Sequence, residues 1–381
     1  MIYFDNAATT RMSDVAIKAL IDVSENDYGN ASSVYSFGRQ SKDILTESRK
    51  LIAKCIGANS NEIFFTSCGT ESDNWAIEQV KYGGIDSVVT SKIEHHAILN
   101  PVERLEREGY KIIRLPVNQG GVVETNSLKD AINGKRQLVS IMLQNNETGI
   151  IQNIKEMAQL VHSYNNTSIF HTDAVQAVGH YDIDVKELGV DMLSASAHKF
   201  NGPKGIGFIY IREGLDISPM ILGGGQESSF RSGTENVAAI YSMAKALEEN
   251  VNNIEKNSKR IKYLEEQLIS QLDHKGIKYT INGDRNNKAS GIVNIAFDGI
   301  DGEALLYALD MQGICVSTGS ACNSEAKERS YVLAAMGVNE ETIDSSIRIS
   351  IGRYNTDYDI DRLADNICKY INVVSQFSKD N

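Results

Sequence analysis

The stretch SASAHKFNGPKGIGFIY, residues 194–210, puts Lys199 beside a histidine, cushions the pair with Ser, Ala and Gly, and runs into an apolar strand. That order reads as strand, functional turn, strand. Working outward from it, the same short β-rich runs recur: EIFFTS (62–67), DSVVTS (86–91), YKIIRLPV (110–117), QLVSIML (137–143), SIFHTDA (168–174), DMLSAS (191–196) and GIGFIYI (205–211). Helical patterns separate them. In 41–56, for example, Ile44, Leu45, Ser48, Leu51, Ile52 and Cys55 keep helical spacing. Near-continuous apolar strands with intervening helices predict an α/β fold with a seven-stranded, mostly parallel sheet covered on both faces. Only a short loop joins the last two runs, so that pair admits an antiparallel arrangement.

From about 245 the pattern predicts one long polar helix with Ile261, Leu264, Leu268 and Leu272 as its stripe. KYTINGD, GIVNIAF and GICVSTG follow, interleaved with helical patterns around 302–312 and 357–375. This predicts a smaller α+β domain. The expected division is a large domain over 15–257, and a small one made of 1–14 and 258–381 that carries a mobile cysteine loop at about 318–331.

Composition narrows the function. Of 381 residues, 41% are hydrophobic and 23% charged, as in ordinary globular proteins. A net charge of −12 argues against a nucleic-acid backbone as ligand. No apolar run is long enough to span a membrane. MIYFDNAATT lacks the basic and apolar regions of a secretory signal. Five cysteines without a CxxC give neither a disulfide framework nor a zinc site, so a reducing cytoplasm is the expected compartment.

Ligands of open α/β sheets gather at the carboxyl ends of strands, so the turns there hold the candidates. After 62–67, Gly69 and Thr70 open a helix whose free N–H groups suit a phosphate, or else Thr70 or Ser72 is an ordinary cap. His95, after the next strand, offers a flat ring and a nitrogen able to move protons. Asp173 closes an apolar strand, with Gln176 three residues on; it suits either a pyridinium partner or a helix cap. Asn145 and Asn146 suit a phenolic oxygen or a turn. Ser196 and His198 flank Lys199, whose amine would form an imine with an aldehyde if burial and nearby cations keep it partly neutral. Together these describe a pyridoxal phosphate site. Cys322, among small polar residues in VSTGSACNSEAKERSYVL (316–333), has the setting of a reactive thiolate, unlike Cys55, Cys315 and Cys368, which fall on apolar elements. Arg348, strand-like in SSIRISIG, calls for a carboxylate, either an internal one or that of an amino-acid substrate.

These residues resemble the cysteine desulfurase family, the NifS/IscS-like branch of the fold-type I pyridoxal phosphate enzymes. The matching pieces run from YFDNAATT through TSCGTESDN, EHHAIL, NNETGIIQ, HTDAVQAVG, SAHKFNGPKGIG, GGGQE, RSGTENV and STGSACNS to SSIRISIGR, in the family's order over residues 3–353. The resemblance implies that Lys199 holds pyridoxal 5'-phosphate, that His95 stacks on it as acid/base, and that Asp173 pairs its ring nitrogen. Asn146 and Gln176 would contact the ring oxygen. Gly69, Thr70, Ser196 and His198 would hold the phosphate, joined by Thr234 from the neighbouring subunit of a homodimer. Arg348 and Asn30 would bind substrate. Cys322 would take the sulfur of L-cysteine as a persulfide, releasing L-alanine. It would then pass the sulfur to a protein acceptor, such as an iron–sulfur scaffold or a tRNA-thiolation enzyme. No metal site is implied beyond a transient iron–sulfur contact through Cys322.

The chain departs from the family at Ala31 (proline is usual), Tyr35 (histidine) and Cys68 (glycine). SSFRSGT is poorer in glycine before Arg231, EAKERS lacks a proline, and the tail VVSQFSKDN lacks the usual apolar ending. The rival readings are a selenocysteine lyase or aminotransferase on the same cofactor, and a non-catalytic sulfur carrier. The thiol loop weighs against transamination, and the full set Lys199, His95, Asp173 and Cys322 against the carrier.

Overall fold

A computed structural model describes residues 1–318 and 329–377 of the chain. Strand β1 (Ile2–Tyr3) is followed by β2 (Ile63–Thr66), β3 (Ser87–Ser91), β4 (Lys111–Leu115), β5 (Gln137–Ser140), β6 (Ile169–Asp173), β7 (Met192–Ser196) and β8 (Gly207–Ile211). Strands β2 to β8 form the seven-stranded sheet, in the order β2-β8-β7-β6-β5-β3-β4. Only β8 runs against its neighbours, β2 and β7; the other four pairings are parallel. Both faces are buried beneath helices. On one side the 36–55 helix packs Leu45 and Ile52 into a cluster with Phe65, Val139, Phe170 and Leu193. On the other, the 69–78 and 96–107 helices bring Trp75, Ile77, Ile98 and Leu105 onto Val88, Leu138 and Ile209.

A second core lies under the antiparallel sheet β12-β10-β9, where β9 is Tyr279–Ile281, β10 is Ile292–Phe297 and β12 is Ser346–Ser350. It also takes in Phe4, because β1 pairs in parallel with β11 (Ile314–Cys315). The N-terminal segment therefore starts in this core and crosses to the other. Thr10 N donates to the His198 carbonyl and Ser13 N to that of Asn201, before the 14–26 helix begins.

The single long helix expected from about 245 is instead two, Val237–Val251 and Ile254–His274. Asn252 and Asn253 break it. The first helix sends Ile240, Met243 and Leu247 into the large-sheet core, and the second sends Ile261, Leu264, Leu268 and Leu272 into the other. One straight helix could not serve two cores lying in different directions.

Candidate active site

Five turns at the carboxyl ends of β2, β3, β5, β6 and β7 converge on a cavity of about 290 Å³. Gly69, Thr70, His95, Asn146, Asp173, Gln176, Ser196, His198, Lys199 and Arg348 all line it. Convergence follows from the parallel sheet, which points every one of these strands the same way.

The 69–78 helix is capped by Cys68, with no side chain bonding its first amides. Neither Thr70 nor Ser72 is the cap. The Ser72 hydroxyl is engaged by Thr66 Oγ1 and the Phe208 carbonyl. The first turn therefore faces the cavity with its N–H groups and positive dipole end. Gly69 leaves no room for more: a Cβ there would lie 2.6 Å from Val175 Cγ2.

His95 caps the 96–107 helix, its Nδ1 accepting from Ala97 N at 3.1 Å. That acceptor role puts the neutral ring's proton on Nε2. Burial, with Lys199 and His96 nearby, pulls the imidazole down to about 4, so it is uncharged at neutral pH. His198, its Nδ1 3.1 Å from Thr9 Oγ1, is pulled down to about 4 by burial first and by Lys199 and Lys204 second.

Asp173 ends β6, and no helix follows it until Val185. It caps a turn, not a helix: Oδ1 accepts from Val175 N at 2.9 Å. Complete burial pushes its carboxyl up to about 6, while the Val175 amide and Lys199 pull the other way. Of the two asparagines, Asn145 makes the turn, its Oδ1 taking bonds from Glu147 N and Thr148 N. Asn146 is left to the cavity. Its Oδ1 and Ser196 Oγ are buried and without a hydrogen-bond partner among the described residues.

Lys199 follows β7 in a short 3-10 turn, Ala197–Lys199. Its Nζ donates to the carbonyls of Ala7 at 2.5 Å and Ala8 at 3.0 Å. Gln176 Nε2 donates to the same Ala7 carbonyl at 2.9 Å. Arg348, on β12, has an internal carboxylate: Nη2 meets Asp5 Oδ1 at 2.7 Å and Nη1 donates to the Asn146 carbonyl at 3.0 Å. Its buried Nε has no acceptor among the described residues.

Two predicted residues are not brought into this cavity. Asn30 is exposed and its Oδ1 accepts from Ser32 N. Thr234 is also exposed, at the end of a turn held by Arg231, whose guanidinium pairs with Glu71 in the first turn of the 69–78 helix. Cys322 lies outside the described residues. Cys55, Cys315 and Cys368 are half-buried, and burial pushes the Cys55 thiol up to about 11. Among the described residues no cluster of His, Cys, Asp and Glu could hold a metal ion.

Sequence reading assigned no role to Asp5, Ala7 and Ala8, which contact Arg348 and Lys199. YFDNAATT stood out as a motif, but two backbone carbonyls leave no side-chain signature. It also missed Asp73, which lines the cavity with its Oδ1 3.7 Å from His171 Nε2, and Met142.

The aminotransferase class-V family matches residues 2–363. The cysteine desulfurase IscS of Methanosarcina thermophila is 45% identical over 365 residues, covering 95% of this chain and 90% of that protein. Among solved structures, a NifS-like protein superposes with a TM-score of 0.92 at 36% identity, covering 98% of this chain and 99% of its own. SspA in complex with cysteine gives 0.82 at 29% identity, covering 93% and 100%. The convergent strand-end turns and the full-length likeness lead to one placement: the chain belongs to the class-V aminotransferase family, in its cysteine desulfurase branch.

Proposed function

We propose that this chain is a pyridoxal-phosphate-dependent cysteine desulfurase that converts L-cysteine to L-alanine and carries the sulfur away as a persulfide on Cys322. The observation that carries the reading is the single cavity holding Lys199, His95, Asp173 and Arg348 together. The residues present fit the cofactor. Gly69, Thr70, Ser196 and His198 form a cradle of amides, hydroxyl and imidazole for its phosphate, with Ser196 Oγ otherwise unpartnered among the described residues. Asp173 suits the ring nitrogen, and the unpartnered Asn146 Oδ1 lies in the same cavity with Gln176. Pyridoxal phosphate, when bound, supplies an aldehyde for amines and an electron sink for the amino acid's Cα.

The chain's own groups do the rest. Lys199 is aimed by the Ala7 and Ala8 carbonyls, which hold Nζ against the cavity lining they share. Asp173, with a carboxyl near 6, is mostly ionised at neutral pH and holds a proton on any ring nitrogen that faces it. His95 presents Nε2–H to the cavity and exchanges its proton there. Arg348, already anchored at both Nη atoms, keeps Nε–H for the substrate carboxylate. The solved relative in complex with cysteine supports the amino acid as ligand. Cysteine desulfurization, unlike transamination, requires a thiolate to accept sulfur, and Cys322 is the cysteine whose sequence setting suits that role.

Thr234, exposed and outside its own chain's cavity, suits the neighbouring subunit of a homodimer. Asn30 is assigned to substrate binding at such a shared site. The persulfide goes to a protein acceptor in the cytoplasm, an iron–sulfur scaffold or a tRNA-thiolation enzyme. No described helix is long and apolar enough to cross a membrane. Incubation with L-cysteine tests the reaction: wild type releases alanine and sulfane sulfur in equal amounts, while Cys322→Ser binds cysteine and releases neither. Full turnover by that variant rules the persulfide route out.

A further inference from the structure

The fourth apolar cluster of the molecule is small and adjoins the large-sheet core through Val117. Ile93, in the turn that carries His95, packs there with Val332, Leu333, Met336 and Ile343. The helix Tyr331–Ala335 is thus seated directly on the β3 turn. Polar contacts reinforce the seat. The Tyr331 hydroxyl donates to the Glu94 carbonyl at 2.6 Å, and its ring meets that of His96 edge-on at 4.8 Å between centroids. One residue earlier, Ser330 Oγ donates to the buried Glu147 carboxylate at 2.5 Å. Glu94 and His96 flank His95, and Glu147 follows Asn146.

From this geometry we infer that Tyr331 and Ser330 are positioning residues, strapping the 331–335 helix to the two turns that aim His95 and Asn146 into the cavity. The inference rests on the proposed reaction for its meaning but not for its geometry. The His95 ring owes its place to a turn whose backbone carbonyl is held from outside the large sheet. A rigid turn keeps the ring buried; a slack one lets water in. Lys199 and His96 are the charged or titratable groups that act on that ring, the Tyr331 phenol packs against His96, and only the phenol changes in Tyr331→Phe.

Tyr331→Phe removes the hydrogen bond to the Glu94 carbonyl and keeps the ring, so the chain folds. In cofactor-loaded protein, kcat for alanine release falls about three- to tenfold while KM for cysteine stays within about twofold. Cofactor absorbance per subunit is unchanged. Ring-labelled histidine, with His95 assigned through His95→Gln, shows the His95 titration moving up toward the ordinary imidazole range; Ser330→Ala leaves it in place and, at the Asn146 end, slows kcat. A Tyr331→Phe protein with wild-type kcat, or with His95 titrating as in wild type, overturns the inference. The titration needs no turnover, so a wild-type chain inactive on cysteine would sink the reaction yet leave the strap to be decided by that measurement.

Discussion

Asp5 and Arg348 lie 343 residues apart in the chain and form a part-buried ion pair at 2.7 Å, with the arginine the more enclosed partner. The pair ties the N-terminal segment to β12 at the edge of the active-site cavity. It also leaves Arg348 Nε, at the cavity, as a buried guanidinium donor without an acceptor among the described residues. Removing one partner of a buried pair strands the other charge. Asp5→Asn is therefore expected to lower stability by about 3 kcal/mol in urea unfolding and to raise KM for cysteine, since Arg348 loses its fixed angle. A variant with wild-type stability and KM would show that Asp5 does not orient the arginine.

Gly69 is required by a neighbour rather than by backbone conformation. A Cβ at 69 would meet Val175 Cγ2 at 2.6 Å and Ser196 Cβ at 3.5 Å, so the first turn of the 69–78 helix must move. Gly69→Ala should weaken pyridoxal phosphate binding about tenfold, which absorbance titration measures. Adding Val175→Ala should restore most of the loss. No rescue in the double variant would mean the space argument is wrong.

Glu94 makes a pH prediction. Burial pushes its carboxyl up to about 8, with bonds to Ser91 and the Met142 amide acting against the rise. An unfolded glutamate ionises near 4.5. Below that value both states hold the proton; between there and about 8 unfolding releases it, so wild-type stability is lost as pH rises through this window. Glu94→Gln mimics the protonated acid, donating to Ser91 and accepting from Met142 N. Its stability relative to wild type should grow from about pH 5 to about pH 8 in urea titrations. A gap independent of pH would refute the buried neutral acid.

Glu227 sits in a rare backbone. It and the next two residues, Ser228 and Ser229, all have positive φ, 47°, 56° and 70°. What holds them is the Glu227 carboxylate, clamped by Arg49 at 2.6 and 2.8 Å and by Phe65 N at 2.8 Å. Glu227→Ala should cost about 3 kcal/mol and raise amide exchange through residue 234. If Thr234 completes a neighbouring site, cofactor affinity falls as well; unchanged exchange would clear Glu227 of that duty.

Local pattern sufficed for the seven strands of the large sheet, because parallel strands buried on both faces leave continuous apolar runs. It sufficed to put Lys199, His95 and Asp173 at strand ends, which a parallel sheet gathers along one edge. The sequence placed one helix where there are two, because helical spacing near 250 records an apolar stripe but not which core receives it. It could not foresee Asp5 on Arg348, the Ala7 and Ala8 carbonyls on Lys199, or Tyr331 on Glu94. Those contacts join distant parts of the chain through backbone oxygens or single charges, and only the packing of one core against the other brings them within hydrogen-bond reach.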